Sequence, residues 1–137
     1  MDERIIKSEI AMLKLQQRAL EKNVIVCKPT VEGQRYDCVL DFEGSLKRAQ
    51  VKYAGFRSYK ECSGVVLINL VQIKGKGKTT PYLSSEIDFL MIYLAPKDVI
   101  CRFDKRQFEN KKKIRVRYEL TKNKTKIVVP FYTDFIW

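Results

Sequence analysis

A chain of 137 residues, 45% of them hydrophobic, can bury one sizeable core but not two, so residues 1–137 are expected to form a single domain. Its 27 basic residues outnumber 16 acidic ones for a formal charge of +11, with no His, which calls for a polyanionic partner such as double-stranded DNA before a small neutral substrate. No apolar run is long enough for a transmembrane helix, and the near charge balance of the first predicted helix argues against a membrane-surface anchor.

From Asp2 to Lys22 the pattern is helical, with Ile6, Ile10, Leu13 and Leu20 on one stripe that Ile5 and Met12 widen. Asp2 and Glu3 suit the positive end of the helix dipole. Glu9 lies between Ile5 and Met12 at helical spacing, so it is expected close to the buried face, where a carboxylate needs a partner. It either reaches a metal site or is a solvated or ion-paired residue of the helix edge. A strand from Val24 to Lys28 and a loop from Pro29 to Gly33 follow. Tyr36 to Phe42 and Leu46 to Lys52 then read as a hairpin closed by Glu43, Gly44 and Ser45.

After Gly55 come a polar segment, 56–63, and an apolar run from Val65 to Ile73 that reads as one long strand. The segment Lys74 to Thr80 is rich in Gly, Lys and Thr but lacks phosphate-binding-loop spacing, and no long helix follows it, so a nucleotide ligand is not expected. Lys74, Lys76 and Lys78 are better suited to contacting phosphates of DNA. Ile87 to Leu94 and Val99 to Phe103 read as strands joined through Pro96, Lys97 and Asp98, with Asp88 as a structural or turn-forming residue. Between Arg102 and Lys126 eleven Lys or Arg residues face three acidic ones.

Within that basic stretch Ile114, Val116 and Tyr118 alternate with Arg115 and Arg117, so one strand face can pack while the other presents guanidinium groups. Lys126 to Val129 can return as the second strand of a ribbon spanning approximately 111–129. Such a ribbon fits the DNA major groove, with Lys111, Lys112, Lys113, Arg115, Arg117, Lys122 and Lys124 as its DNA-binding residues. The plainer alternative is a solvated basic hairpin that contributes only nonspecific charge. The aromatic tail from Phe131 to Trp137 is expected to pack on the core or on a neighbouring subunit.

Cys27, Cys38, Cys62 and Cys101 form no C-X-X-C pair, and without His no zinc site is expected. Cys27 and Cys38 fall within apolar strands and read as buried free thiols of a reducing compartment. The amino-terminal residues lack signal-peptide form, so a cytoplasmic location is the expectation.

The hairpin carries the chemistry. Its geometry lets Asp37, at the start of one strand, meet residues near the end of the other, and period two puts Gln50 and Lys52 on one face while Val51 turns away. A carboxylate, an amide oxygen or the Val51 carbonyl, and an ammonium at one spot suit phosphodiester hydrolysis. Hard oxygen donors would hold a divalent cation while Lys52 sits beside the attacking water. With no more than this, a non-catalytic basic DNA-binding module, with Asp37 in a turn and Lys52 a surface charge, is an equal alternative.

Asp37 followed by Gln50-Val51-Lys52 resembles the PD-(D/E)XK nuclease superfamily, in which an Asp on one strand precedes an acidic-X-Lys triplet on the next and a helix often adds a Glu. Gln replaces the acid here, which removes one negative charge from the metal cage. The opening helix with Glu9, Arg35-Tyr36-Asp37, Ala49 to Tyr53, and Ile87-Asp88-Phe89 leading to Ala95-Pro96 are further similar to the small intron-encoded homing endonucleases of cyanobacteria within that superfamily. The resemblance implies an α/β fold with a restriction-endonuclease-like core, a mixed central sheet, an N-terminal helix and a basic C-terminal β-ribbon. It also implies a Mg²⁺ (or Mn²⁺) cofactor held by Asp37, Gln50, the Val51 backbone carbonyl and Glu9, and catalysis by Glu9, Asp37, Gln50 and Lys52. The implied activity is a double-strand break in an intron-free target, with a restriction- or repair-type nuclease of the same superfamily as the neighbouring reading. Two scissile phosphates related by a two-fold axis require a homodimer at least, and the resemblance favours a homotetramer. The aromatic tail and the exposed side of the Val65 to Ile73 strand are the expected subunit contacts.

Overall fold

The Asp2 carboxylate accepts a hydrogen bond from the Arg4 amide at 2.8 Å, satisfying one of the free donors at a helix start. Helix α1 then runs Glu3–Glu21. The computed structural model describes residues 1–55, 64–74, 78–120 and 129–137. After α1 come β1 (Ile25–Cys27), β2 (Cys38–Phe42) and β3 (Ser45–Ala54). The β2–β3 turn consists of Glu43 and Gly44, both at positive φ (53° and 96°), the backbone that a two-residue hairpin turn needs to match strand twist.

The chain next forms β4 (Val65–Asn69), β5 (Val71–Lys74) and β6 (Lys78–Pro81). It continues through β7 (Phe89–Leu94), β8 (Val99–Asp104), a short α2 (Lys105–Phe108) and β9 (Lys113–Arg117). Among the described residues the central sheet has five strands in the order β1-β2-β3-β7-β8, antiparallel except for the parallel β3–β7 pair, so it is mixed. Arg48 and Asp88 anchor that crossover: Asp88 accepts from the Arg48 amide at 2.8 Å and faces its guanidinium at 3.3 Å.

Two apolar layers hold the sheet. On one face Ala11, Leu15 and Ala19 of α1 pack against Leu40, Ala49, Val51 and Met91. On the other, Leu90, Ile92 and Leu94 meet Val66, Ile68, Leu70 and Val116 from the β4–β9 pair and its continuation. The helix lies close because two of its three buried side chains are alanines. The larger stripe singled out in the sequence turns outward: Ile6, Ile10, Leu13 and Leu20 are exposed, as is Ile5. Helical periodicity allows either face to be buried, and the sheet takes the one whose small residues permit close approach.

Two other expectations, on the Val65 to Ile73 run and on Cys27, are revised. The apolar run Val65 to Ile73 is two strands, broken at fully buried Leu70, whose amide donates to the Lys112 carbonyl at 2.9 Å. Each half satisfies its backbone with a different partner, β4 with β9 and β5 with β6. Strand β9 alternates as expected, with Ile114 and Val116 inward and Arg115 outward, and among the described residues it pairs with β4. The returning segment lies largely in 121–128, outside the described residues. Cys27 is exposed, because β1 is a short edge strand, whereas Cys38 and Cys101 are buried free thiols whose pKa burial pushes up to about 12.

The aromatic tail packs on its own chain. Phe135 stacks tilted on Phe103 with centroids 4.5 Å apart, Trp137 meets Phe42 edge-on at 6.2 Å, and Arg18 Nε donates to the Trp137 carbonyl at 2.7 Å. Trp137→Ala is therefore expected to cost about 3 kcal/mol of stability, measured as a lower urea midpoint at unchanged slope. Among the described residues no helix is long and apolar enough to cross a membrane.

Candidate active site

Strand β3 has ten residues and β2 only five, so β2 ends while β3 still has half its length to run. Beyond that end the outer edge of β3 lacks a strand neighbour among the described residues, and Asp37 sits at the corner. The Asp37 amide donates to the Ala49 carbonyl at 2.9 Å, and its carboxylate accepts from the Val51 amide at 2.8 Å. Within a strand a residue's N–H and C=O point to the same side, so the Val51 carbonyl also turns toward the Asp37 edge. The hairpin thus aims a carboxylate and a strand carbonyl at one place.

That edge is the wall of a cleft of about 530 Å³, lined by Asp37, Gln50, Val51, Lys52 and Tyr53, by Arg4, Lys7 and Ser8 from the first turns of α1, and by Leu67 to Asn69 of β4. Burial raises the Asp37 carboxyl above its ordinary pKa, and the Val51 amide and the Lys52 charge offset part of that. Burial lowers the pKa of the Lys52 ammonium, which Asp37 partly restores. The ammonium lies 5.4 Å from the centre of the Tyr82 ring, with the Arg35 guanidinium 4.8 Å from the same ring. Arg35 is in turn tied to Glu86 and to the Pro81 carbonyl at 2.9 Å, so the shelf under Lys52 is braced.

The donor set of Asp37 carboxylate, Gln50 amide oxygen and Val51 carbonyl consists of hard oxygens and fits a divalent cation such as Mg²⁺. Glu9 is not brought to it. Its side chain is exposed and borders a different, shallow surface with Asp2, Arg4, Ile5 and Ser8, because the turn of the helix directs Ser8 and not Glu9 toward the cleft. Among the described residues Asp37 is the only carboxylate lining the cleft. Sequence reasoning missed Arg4, Lys7 and Tyr82. Helical spacing of Arg4, Ser8, Ala11 and Leu15 was the signal available for the α1 contribution.

The basic ribbon adjoins the cleft. Lys113 is paired with Asn69 and Arg115 with Leu67, and these pairs share a face, so Lys113 and Arg115 stand beside cleft-lining residues. Lys111, Lys112, Lys113 and Arg115 are exposed and Arg117 is half-buried. Lys74 and Lys78 fall at the facing ends of β5 and β6, and Lys76, Lys122 and Lys124 lie outside the described residues.

Comparison with known proteins agrees with this architecture. The chain is similar to a solved bacterial homing endonuclease, I-Ssp6803I, with a TM-score of 0.77 and 22% sequence identity over 98% of this chain and 89% of that one. No curated protein sequence matches it. A family model described as PD-(D/E)XK endonuclease matches residues 4–135, nearly the whole length. With a mixed sheet that presents Asp37 and Lys52 on one cleft and a family match of that extent, the chain belongs to the PD-(D/E)XK endonuclease family.

Proposed function

We propose that this nuclease is a divalent-metal-dependent homing endonuclease that makes a double-strand break in an intron-free DNA target. The observation that carries the reading is the meeting of Asp37, the Val51 carbonyl and Lys52 at the open edge of β3, next to the basic face of the β4–β9 ribbon. Asp37, Gln50 and the Val51 carbonyl would hold Mg²⁺ or Mn²⁺. When bound, the cation polarises the phosphoryl group and lowers the pKa of a coordinated water. Lys52 orients the attacking water and offsets negative charge building on the phosphate, while Arg4 and Lys7 draw the DNA backbone into the cleft. The unit that cuts both strands is at least a homodimer, and a homotetramer accounts for a long site read by so small a subunit.

The specific observation favouring a non-catalytic DNA-binding module is that, among the described residues, the cleft has the single carboxylate Asp37. Incubation with supercoiled plasmid or intron-free target, with Mg²⁺ or with EDTA, separates the two: linear product only with Mg²⁺ supports the endonuclease, and none under either condition supports the module. A restriction- or repair-type enzyme would cut without preference for the intron-free junction.

Gln50→Glu restores the acid of the family triplet and is expected to stay folded and active. Unfolding of this variant, with wild-type metal binding in a refolded fraction, would make Gln50 structural. On the ribbon, Arg115→Ala and Arg117→Ala are expected to weaken specific binding more than random-sequence binding, since a base contact contributes about 1–3 kcal/mol of discrimination. Removing Lys111, Lys112 and Lys113 is expected to flatten the salt dependence of binding for all sequences. An unchanged slope would shift the DNA surface to Lys74–Lys78.

A further inference from the structure

On β3 the side chains of Gln50, Lys52 and Ala54 share one face, and Ala54 belongs to the apolar layer between the central sheet and the β4–β9 pair. Lys52 is therefore directed toward that layer and is half-buried. A lysine carries its charge at the end of a flexible four-carbon stem, so a fixed strand position does not by itself fix the ammonium. Among the described residues the Lys52 ammonium makes no ion pair or hydrogen bond. What it meets is the Tyr82 ring, with Nζ 5.4 Å from the centroid.

The ring is held from several sides. Tyr82 directly follows β6, is 3% exposed within the core, and its amide donates to the Leu70 carbonyl at 3.4 Å. The Arg35 guanidinium lies 4.8 Å from the ring centre and is itself fastened to the Pro81 carbonyl at 2.9 Å and to Glu86. Glu86 offsets the Arg35 charge, which lets a second cation approach the same ring. Arg35 also stands two residues before Asp37, so the segment carrying the carboxylate is fastened to the ring that meets the ammonium.

We propose that Tyr82 is a positioning residue of this site, the face of its ring setting where the Lys52 ammonium stands beside Asp37. An aromatic face attracts a cation through the negative side of its quadrupole, and the attraction strengthens as water is excluded. Unlike a second carboxylate, the ring neither neutralises Lys52 nor competes with Asp37 for a cation, so the ammonium keeps its donors for water and phosphate. The consequence for cleavage rests on the nuclease reading: a reacting group misplaced by about 1 Å can lose about 10²-fold in rate.

The test reads Lys52 directly, by NMR of the full chain isotope-labelled on lysine, without DNA or metal, with Lys52→Ala assigning the signal. In wild type the Lys52 ε-methylene protons are expected upfield of those of exposed lysines, shifted by the ring current, and to relax as a restrained group. Tyr82→Phe keeps the aromatic face and is expected to retain that restraint and near wild-type single-turnover cleavage. Tyr82→Leu is expected to keep its far-ultraviolet circular dichroism, to release the ε-methylene to the mobility of an exposed lysine, and to slow single-turnover cleavage about 10- to 100-fold at unchanged DNA affinity. A Lys52 still restrained in Tyr82→Leu, or wild-type cleavage by that variant, overturns the proposal, as does a Tyr82→Phe rate as low as that of Tyr82→Leu. If Tyr82→Leu does not fold, wild type and Tyr82→Phe decide: an unshifted, mobile ε-methylene in either overturns the proposal, and a shifted, restrained one in both supports it. Release of Lys52 by Tyr82→Leu in a protein whose wild type cuts no DNA would support the contact and count against the nuclease reading alone.

Discussion

Lys52→Ala is expected to lower single-turnover cleavage by about 10²- to 10⁴-fold, the range that a positioned proton-transfer group supplies, while DNA affinity changes little. On the proposed function, affinity for DNA would rest on a formal charge of +11, of which Lys52 is one unit. Its place is specific: half-buried on β3, its ammonium over the Tyr82 ring at 5.4 Å and its pKa lowered by burial beside Asp37. Filter binding and cleavage measured on one preparation decide the matter. A variant that cuts at the wild-type rate sinks the assigned role, and one that loses binding in step with cleavage makes Lys52 a phosphate contact.

Asp37→Asn is expected to abolish cleavage and to eliminate the heat of Mn²⁺ binding in calorimetry. The substitution keeps an oxygen that can accept from the Val51 amide, now at 2.8 Å, and removes only the charge. Stability should change little, or rise, because burial already raises the Asp37 pKa and penalises the ionised form when no cation is bound. Asp37→Ala loses that acceptor as well and should cost about 1 kcal/mol more than the Asn variant. Wild-type Mn²⁺ binding by Asp37→Asn would place the cation elsewhere.

The sequence by itself determined the local geometry around the cleft. The turn at Glu43 and Gly44 sets the register of β2 on β3, and period two then puts Gln50 and Lys52 on one face, so the nearness of Asp37 to them follows from short-range rules. The same rules gave the alternation of Ile114, Val116 and Tyr118 with Arg115 and Arg117. The tertiary structure decided which competing pairings and faces were used. Both faces of α1 carry apolar residues at helical spacing, and contact with the sheet selected Ala11, Leu15 and Ala19, leaving the larger side chains outside and Glu9 away from the cleft. An apolar run does not reveal where it changes partners, so the break at Leu70 and the pairing of β9 with β4 depended on strands distant in sequence. Arg4 and Lys7 reach the cleft for the same reason: their approach to β3 is fixed by how the helix docks, and docking is a property of the assembled layers.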